Sequence, residues 1–234
     1  MIKLIKLEWK KNNIVKYIWK AVIVAAVLCL FLFTLAFLGI AQDPNGTLDA
    51  AEGMEVISAP IELFTSMSSL LFTSVMLASF IVSAYKNKTM NLMFSYPIKR
   101  QKILASQMAA VWLFGLAALV ATKLICYLCI FLGSKRLASP FVIDFSMGSM
   151  SFYVQLLLKS AVTVSMSFIA LFVGLLMRSS KATIVTSFLL ILLTQGNIGD
   201  LSLADNQVCP VILTLLSFGV AVLSVVTVET KDVL

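Results

Sequence analysis

Long apolar runs separated by short polar stretches dominate the chain. A helix needs about 20 apolar residues to cross the hydrocarbon core, and six segments of the sequence have that character. They run from Ile18 to Ala41, Ile61 to Tyr85, Ile103 to Leu132, Phe152 to Met177, Thr183 to Leu203 and Val208 to Val228. Gln195, Gly196, Asn197 and Asp200 interrupt the fifth, which predicts a broken or re-entrant helix there. Such backbone is tolerated at membrane depth only where protein or water covers it. Pro44, Pro60, Pro97, Pro140 and Pro210 all fall at segment ends or between segments, as expected of a residue that disrupts helix interiors. The expectation is an all-α polytopic membrane protein, residues 1–234 forming one transmembrane domain with six transmembrane helices.

Residues 2–17 have a different pattern. Lys3, Lys6 and Lys10 share one helical face, and Ile2, Ile5 and Trp9 share its neighbour. That predicts an interfacial elbow helix on the inner leaflet; the plainer reading is a basic flank that fixes topology. Tyr17 and Trp19 fall where an aromatic belt forms. With the N-terminus inside, 14 of the 18 lysines and arginines lie in cytoplasmic parts. Asp43, Asp49, Glu52, Glu55, Glu62, Asp144, Asp200 and Asp205 then lie outside or at the outer edge. An even number of spans puts both termini in the cytoplasm.

Composition sharpens the class. The 234 residues are 60% hydrophobic and 12% charged, about half the charge of a soluble domain, and mean hydropathy is +1.01. An ordinary soluble enzyme and a nucleic-acid-binding domain are excluded; the net charge of +7 is a topology signal. The absence of histidine removes histidine-dependent catalysis and most zinc sites. Cys126 and Cys129 form a CxxC inside an apolar helix, where free thiols behave as small hydrophobes. No Gly-Lys-Ser or Gly-Lys-Thr occurs, so a P-loop is absent. Chance matches explain Ser83-Ala84-Tyr85-Lys86 and Gly196-Asn197-Ile198-Gly199-Asp200 better than serine or aspartyl catalysis. No catalytic residue and no metal ligand set is expected.

The most informative stretch joins the second and third segments. From Met90 to Tyr96, the residues Met90, Met93, Phe94 and Tyr96 gather on one helix-like surface, bracketed by charges and stopped by Pro97. A compact apolar knob of this kind is a partner site, an interfacial helix dipping into lipid, or part of a plain basic connection. Lys88-Thr89 through Tyr96-Pro97-Ile98-Lys99-Arg100 to Ile103-Leu104 resembles the ABC type-2 permease family, whose members often carry a Thr, a short apolar helix and Pro-x-x-Arg before the third span. The basic elbow, the six segments and the acidic first outer loop match that layout. The length is similar to small bacterial members such as bacitracin-resistance and lantibiotic-immunity permeases. Tyr85 and Lys86 depart from the family's common Glu, and Gln107 from its common Lys.

The resemblance implies an exporter permease in the bacterial plasma membrane. It would pair with a second copy or a related permease above two ATP-binding-cassette subunits. ATP and Mg would be held by that partner and no cofactor by this chain. Residues Met90–Tyr96 would form the coupling helix. Met93, Phe94 and Tyr96 would supply apolar docking area, and Lys99 and Arg100 would meet acidic groups on the ATPase or anionic lipid. The substrate class implied is hydrophobic or amphipathic, such as an antimicrobial peptide or drug. Within the spans, Lys123 and Lys159 cost about 3 kcal/mol each in hydrocarbon. They either snorkel, pair with Asp144 or Glu62, or contact anionic headgroups or acidic peptides; Gln195 and Asn197 join them as candidate substrate or lipid contacts. The alternative is a secondary transporter or assembly factor that works without ATP. A proton-coupled carrier requires carboxylates at mid-depth, and the acids here cluster toward one side.

Overall fold

The computed structural model describes residues 2–37, 58–83, 100–137, 148–177, 179–195, 197–198, 201–202 and 208–230. The order is α1 (Ile2–Lys11), α2 (Ile14–Phe37), α3 (Ser58–Leu77) continued by a π-helical turn (Ala78–Val82), α4 (Arg100–Leu137), α5 (Met150–Leu176), α6 (Ser180–Gln195), β1 (Asn197–Ile198), β2 (Leu201–Ser202) and α7 (Val208–Thr230). Among the described residues, every element apart from the two short strands is a helix. Four described stretches are long and apolar enough to cross a membrane: Ile14–Ala36, Ser58–Val82, Gln101–Gly133 and Met150–Leu176. Ser180–Leu192 and Ile212–Val225 are shorter apolar helical stretches.

Two boundaries differ from those expected. The elbow is not continuous over residues 2–17: α1 ends at Lys11, and Asn13 takes φ 49° before α2 begins. Asparagine tolerates this left-handed conformation better than most residues. The corner stays hydrogen-bonded, with Asn12 N–H donating to Glu8 O at 3.0 Å and Lys16 N–H to Asn13 O at 3.0 Å. Tyr17 therefore belongs to α2, not to the elbow, and Trp19 lies in α2 as expected of the first segment. The fifth segment does not run to Leu203. Its helix stops at Gln195, and the chain turns into an antiparallel pair with Asn197 opposite Ser202 and Ile198 opposite Leu201. The polar residues end the helix as expected, and a hairpin follows in place of its second half.

Helices α3 and α5 are the centre of the bundle. α3 packs on α4, α5 and α6, and α5 on α7, α6, α3 and α4. Buried residues make up 56% of the most apolar window of α3 and 11% of that of α2, so α2 lies at the periphery. One core cluster joins Met76, Leu77, Phe80, Leu104, Met108 and Leu171. A second, toward the opposite end of α4, joins Leu32, Ile61, Cys126, Tyr127 and Leu156. Small residues let helices approach where apolar solvent offers no drive to associate. A Cβ on Gly115 would stand 2.5 Å from Thr73 Cγ2, and one on Gly174 would overlap Thr183 Oγ1.

Buried hydroxyls are frequent, including Thr65, Thr73, Ser160, Ser165, Ser167, Ser187, Ser217 and Ser224. Each of these bonds a carbonyl of its own helix, as Thr73 Oγ1 does to Ser69 O at 2.9 Å and Ser224 Oγ to Val220 O at 3.0 Å. Back-bonding satisfies these hydroxyls within their own helices, and Ser165 Oγ in addition accepts from Trp112 Nε1 of α4 at 3.1 Å.

Candidate functional site

At one end of the bundle, α1 clamps the start of α4. Gln107 Nε2 donates to Glu8 Oε1 at 3.3 Å, and Trp9 Nε1 donates to Ala110 O at 3.1 Å. Glu8 is buried and also faces Lys11 at 3.7 Å. Beside this clamp, the Tyr17 hydroxyl meets Ser79 Oγ at 3.0 Å, and its ring packs edge-on against Phe80 at 5.1 Å. The α1 corner thus touches both the π-turn that ends α3 and the first turns of α4. These are the two elements on either side of residues 84–99.

The coupling candidates Met90, Met93, Phe94, Tyr96, Pro97 and Lys99 lie outside the described residues. Arg100 opens α4 as its first residue. Gln195 is the last residue of α6 and Asn197 the first of β1.

The remaining two candidates come together near the other end. Lys123 of α4 and Lys159 of α5 both reach Glu62 of α3. Lys123 Nζ lies 3.7 Å from Glu62 Oε1, and Lys159 Nζ lies 2.7 Å from Oε2. The second distance is that of a charge-assisted hydrogen bond. Exposure grades across the cluster: the Lys123 side chain is 1% exposed, Glu62 29% and Lys159 59%. Lys123 does not snorkel, because it lies on the inward stripe Gln107, Val111, Gly115, Leu119, Lys123, Tyr127, where every fourth residue faces the core. Pairing removes much of the cost of an isolated lysine in hydrocarbon. Among the described residues, two lysines against one carboxylate leave one basic group in excess.

Of the two acids expected as partners for these lysines, Glu62 serves both, and Asp144 lies outside the described residues. The available signal for Glu62 was its place inside an apolar run, next to Ile61, which is fully buried. Two further groupings were not expected. Cys29 of α2 approaches Cys126 and Cys129 of α4, and all three are free thiols. Thr65, Ser68, Ser69, Thr73 and Thr122 line a narrow cleft between α2, α3 and α4, and the Ser69 hydroxyl finds no partner among the described residues.

No family model matches the chain, and no solved structure matches it. It is similar to a Bacillus subtilis protein described as "Uncharacterized protein YcbO", with 26% identity over 229 residues that cover 93% of each chain. The two sequences therefore align almost end to end.

Proposed function

We propose that the chain is the membrane-spanning permease subunit of an ATP-binding-cassette exporter in a bacterial plasma membrane. In this reading α6 with its hairpin and α7 complete six spans, and both termini are cytoplasmic. A hydrophobic or amphipathic substrate, such as an antimicrobial peptide or drug, crosses along the helices, and a separate ATPase holds ATP and Mg. Catalysis belongs to that partner.

One observation carries the reading. The basic elbow α1 is fastened to the start of α4 through Glu8, Trp9, Gln107 and Ala110, beside the connection over residues 84–99. Lysine-rich α1 supports a cytoplasmic position for that end, following the positive-inside rule. Residues 84–99 then face a cytoplasmic partner with the apolar Met90, Met93, Phe94 and Tyr96 between basic flanks. A push on this segment is delivered to α3 and α4 together.

The test is purification of the tagged chain from its own host membranes, with assay of ATPase activity in lipid. The expected result is a stable complex with a P-loop subunit. Phe94→Asp should abolish that complex while insertion and monodispersity persist. A folded, monodisperse chain that purifies without any ATPase refutes the exporter reading.

A further inference from the structure

The Glu62 carboxylate divides its oxygens, Oε1 toward Lys123 and Oε2 toward Lys159. The two lysines are not equivalent. Lys123 is sealed inside the bundle, where it reaches Glu62 but is closed to a ligand from outside. Lys159 emerges at the edge of the exposed face of α5, one turn after exposed Gln155 and beside the buried stripe of Leu156 and Ser160; Val154, Leu157 and Leu158 are exposed farther around the same face. An ammonium group at the edge of a largely apolar face is placed to meet the polar head of a molecule whose chains cover that face. The excess positive charge supplies the drive. In a low-dielectric setting one further anion neutralises the cluster, and Coulombic attraction there is several-fold stronger than in water.

We propose that Glu62, Lys123 and Lys159 form a binding site for the phosphate of an anionic amphiphile lying along α5. The phosphate pairs with Lys159. Glu62 gives up its Oε2 contact and closes its Oε1 contact with Lys123, which holds the displaced carboxylate and keeps the buried charge paired. The site takes an anion by exchanging the Glu62–Lys159 pair for an anion–Lys159 pair, without stranding Lys123. A phospholipid headgroup and free phosphate share this chemistry. The proposal requires no ATPase partner, so it stands or falls separately from the exporter reading.

The test uses the full chain in nanodiscs of phosphatidylcholine doped with phosphatidylglycerol, with bound lipid counted by native mass spectrometry. The wild-type chain should retain phosphatidylglycerol in preference to phosphatidylcholine. Lys159→Gln should weaken that retention about tenfold, the effect of losing a hydrogen bond to a charged group. Lys159→Arg should restore it. Glu62→Gln, which removes the internal competitor, should tighten it. Inorganic phosphate added to discs of pure phosphatidylcholine separates the sources. Binding of phosphate at Lys159 identifies the free ion as sufficient, and its failure to bind or compete identifies the headgroup with its chains. Lys159 is exposed, so its glutamine variant tests the site even if Glu62→Gln does not fold. Equal retention of phosphatidylglycerol by the wild type and a folded Lys159→Gln, or no preference over phosphatidylcholine in the wild type, overturns the proposal.

Discussion

Gly115→Ala should destabilise the bundle although alanine is the better helix former. The substitution gains about 1 kcal/mol of helix propensity. Against this, the new Cβ would lie 2.5 Å from Thr73 Cγ2 and 3.3 Å from Val164 Cγ1. Thr73 cannot swing aside cheaply. Its χ1 is restricted by branching, and its Oγ1 is anchored to Ser69 O at 2.9 Å and Leu70 O at 3.1 Å. Overpacking of this kind costs about 1–3 kcal/mol, leaving a net loss of about 0–2 kcal/mol. Thr73→Ser removes the clashing methyl and keeps the hydroxyl, at a cost of about 0.8 kcal/mol for one buried carbon. The double variant should then be close to the wild type, with a coupling of at least about 1 kcal/mol between the sites. SDS titration of helicity in lipid micelles gives the four stabilities needed. Additive effects, or a Gly115→Ala chain more stable than the wild type, would show that α3 and α4 do not cross at this pair.

Three further outcomes test other parts of the fold. Gln107→Leu removes the amide that bonds buried Glu8 and should cost about 1–3 kcal/mol, read as a lower unfolding midpoint and faster reaction of a cysteine placed at Trp9. A protease site inserted between residues 42 and 57 should yield fragments that stay joined after mild thiol oxidation and separate on reduction, because Cys29 lies against Cys126 and Cys129; loss of the cross-link in Cys29→Ser confirms its origin, and fragments never joined refute the α2–α4 contact. A single reactive cysteine at Glu52 should label with an impermeant reagent on intact cells, whereas labelling only after lysis reverses the proposed orientation.

The helical class was legible because the apolar runs are long and the prolines avoid their interiors. The four helices long enough to span lie within a few residues of the segments expected. Less was legible where a single residue type admits two environments. Lys123 and Lys159 look alike in a linear reading, as lysines in the outer parts of apolar helices. Their helical phase separates them: Lys123 continues the stripe of Leu119 and Tyr127, whereas Lys159 stands beside the stripe of Leu156, Ser160 and Val164. A second signal was the hydroxyl pattern. In a chain whose lipid-facing and core side chains are both apolar, hydrophobicity does not mark the inward face, but Ser and Thr do. Ser160, Ser167 and Thr73 are all buried. The hairpin after Gln195 and the break at Asn13 follow from backbone preferences that hydrophobic periodicity does not register.

The π-turn at Ala78–Val82 has no sequence signature, since Ala-Ser-Phe-Ile-Val contains neither proline nor glycine. Its cause is packing. From Met76 to Val82 every residue except Ser79 is buried, because α4, α5 and α6 surround this end of α3. Each residue added in a wide turn shifts the helix phase, which lets Phe80 face Tyr17 while Ile81 and Val82 remain inside. The exception is used as well, since Ser79 takes the Tyr17 hydroxyl. Residues 84–99 therefore connect two unlike anchors. The start of α4 is fastened by the α1 clamp, whereas α3 reaches the connection through a turn of less regular hydrogen bonding, a feature that recurs at functional sites. In the proposed exporter, a force on residues 84–99 would reach α3 and α4 together. Helix α3 carries Glu62 at its far end, so movement at the connection and ion-pair exchange at the lysines would share one rigid element.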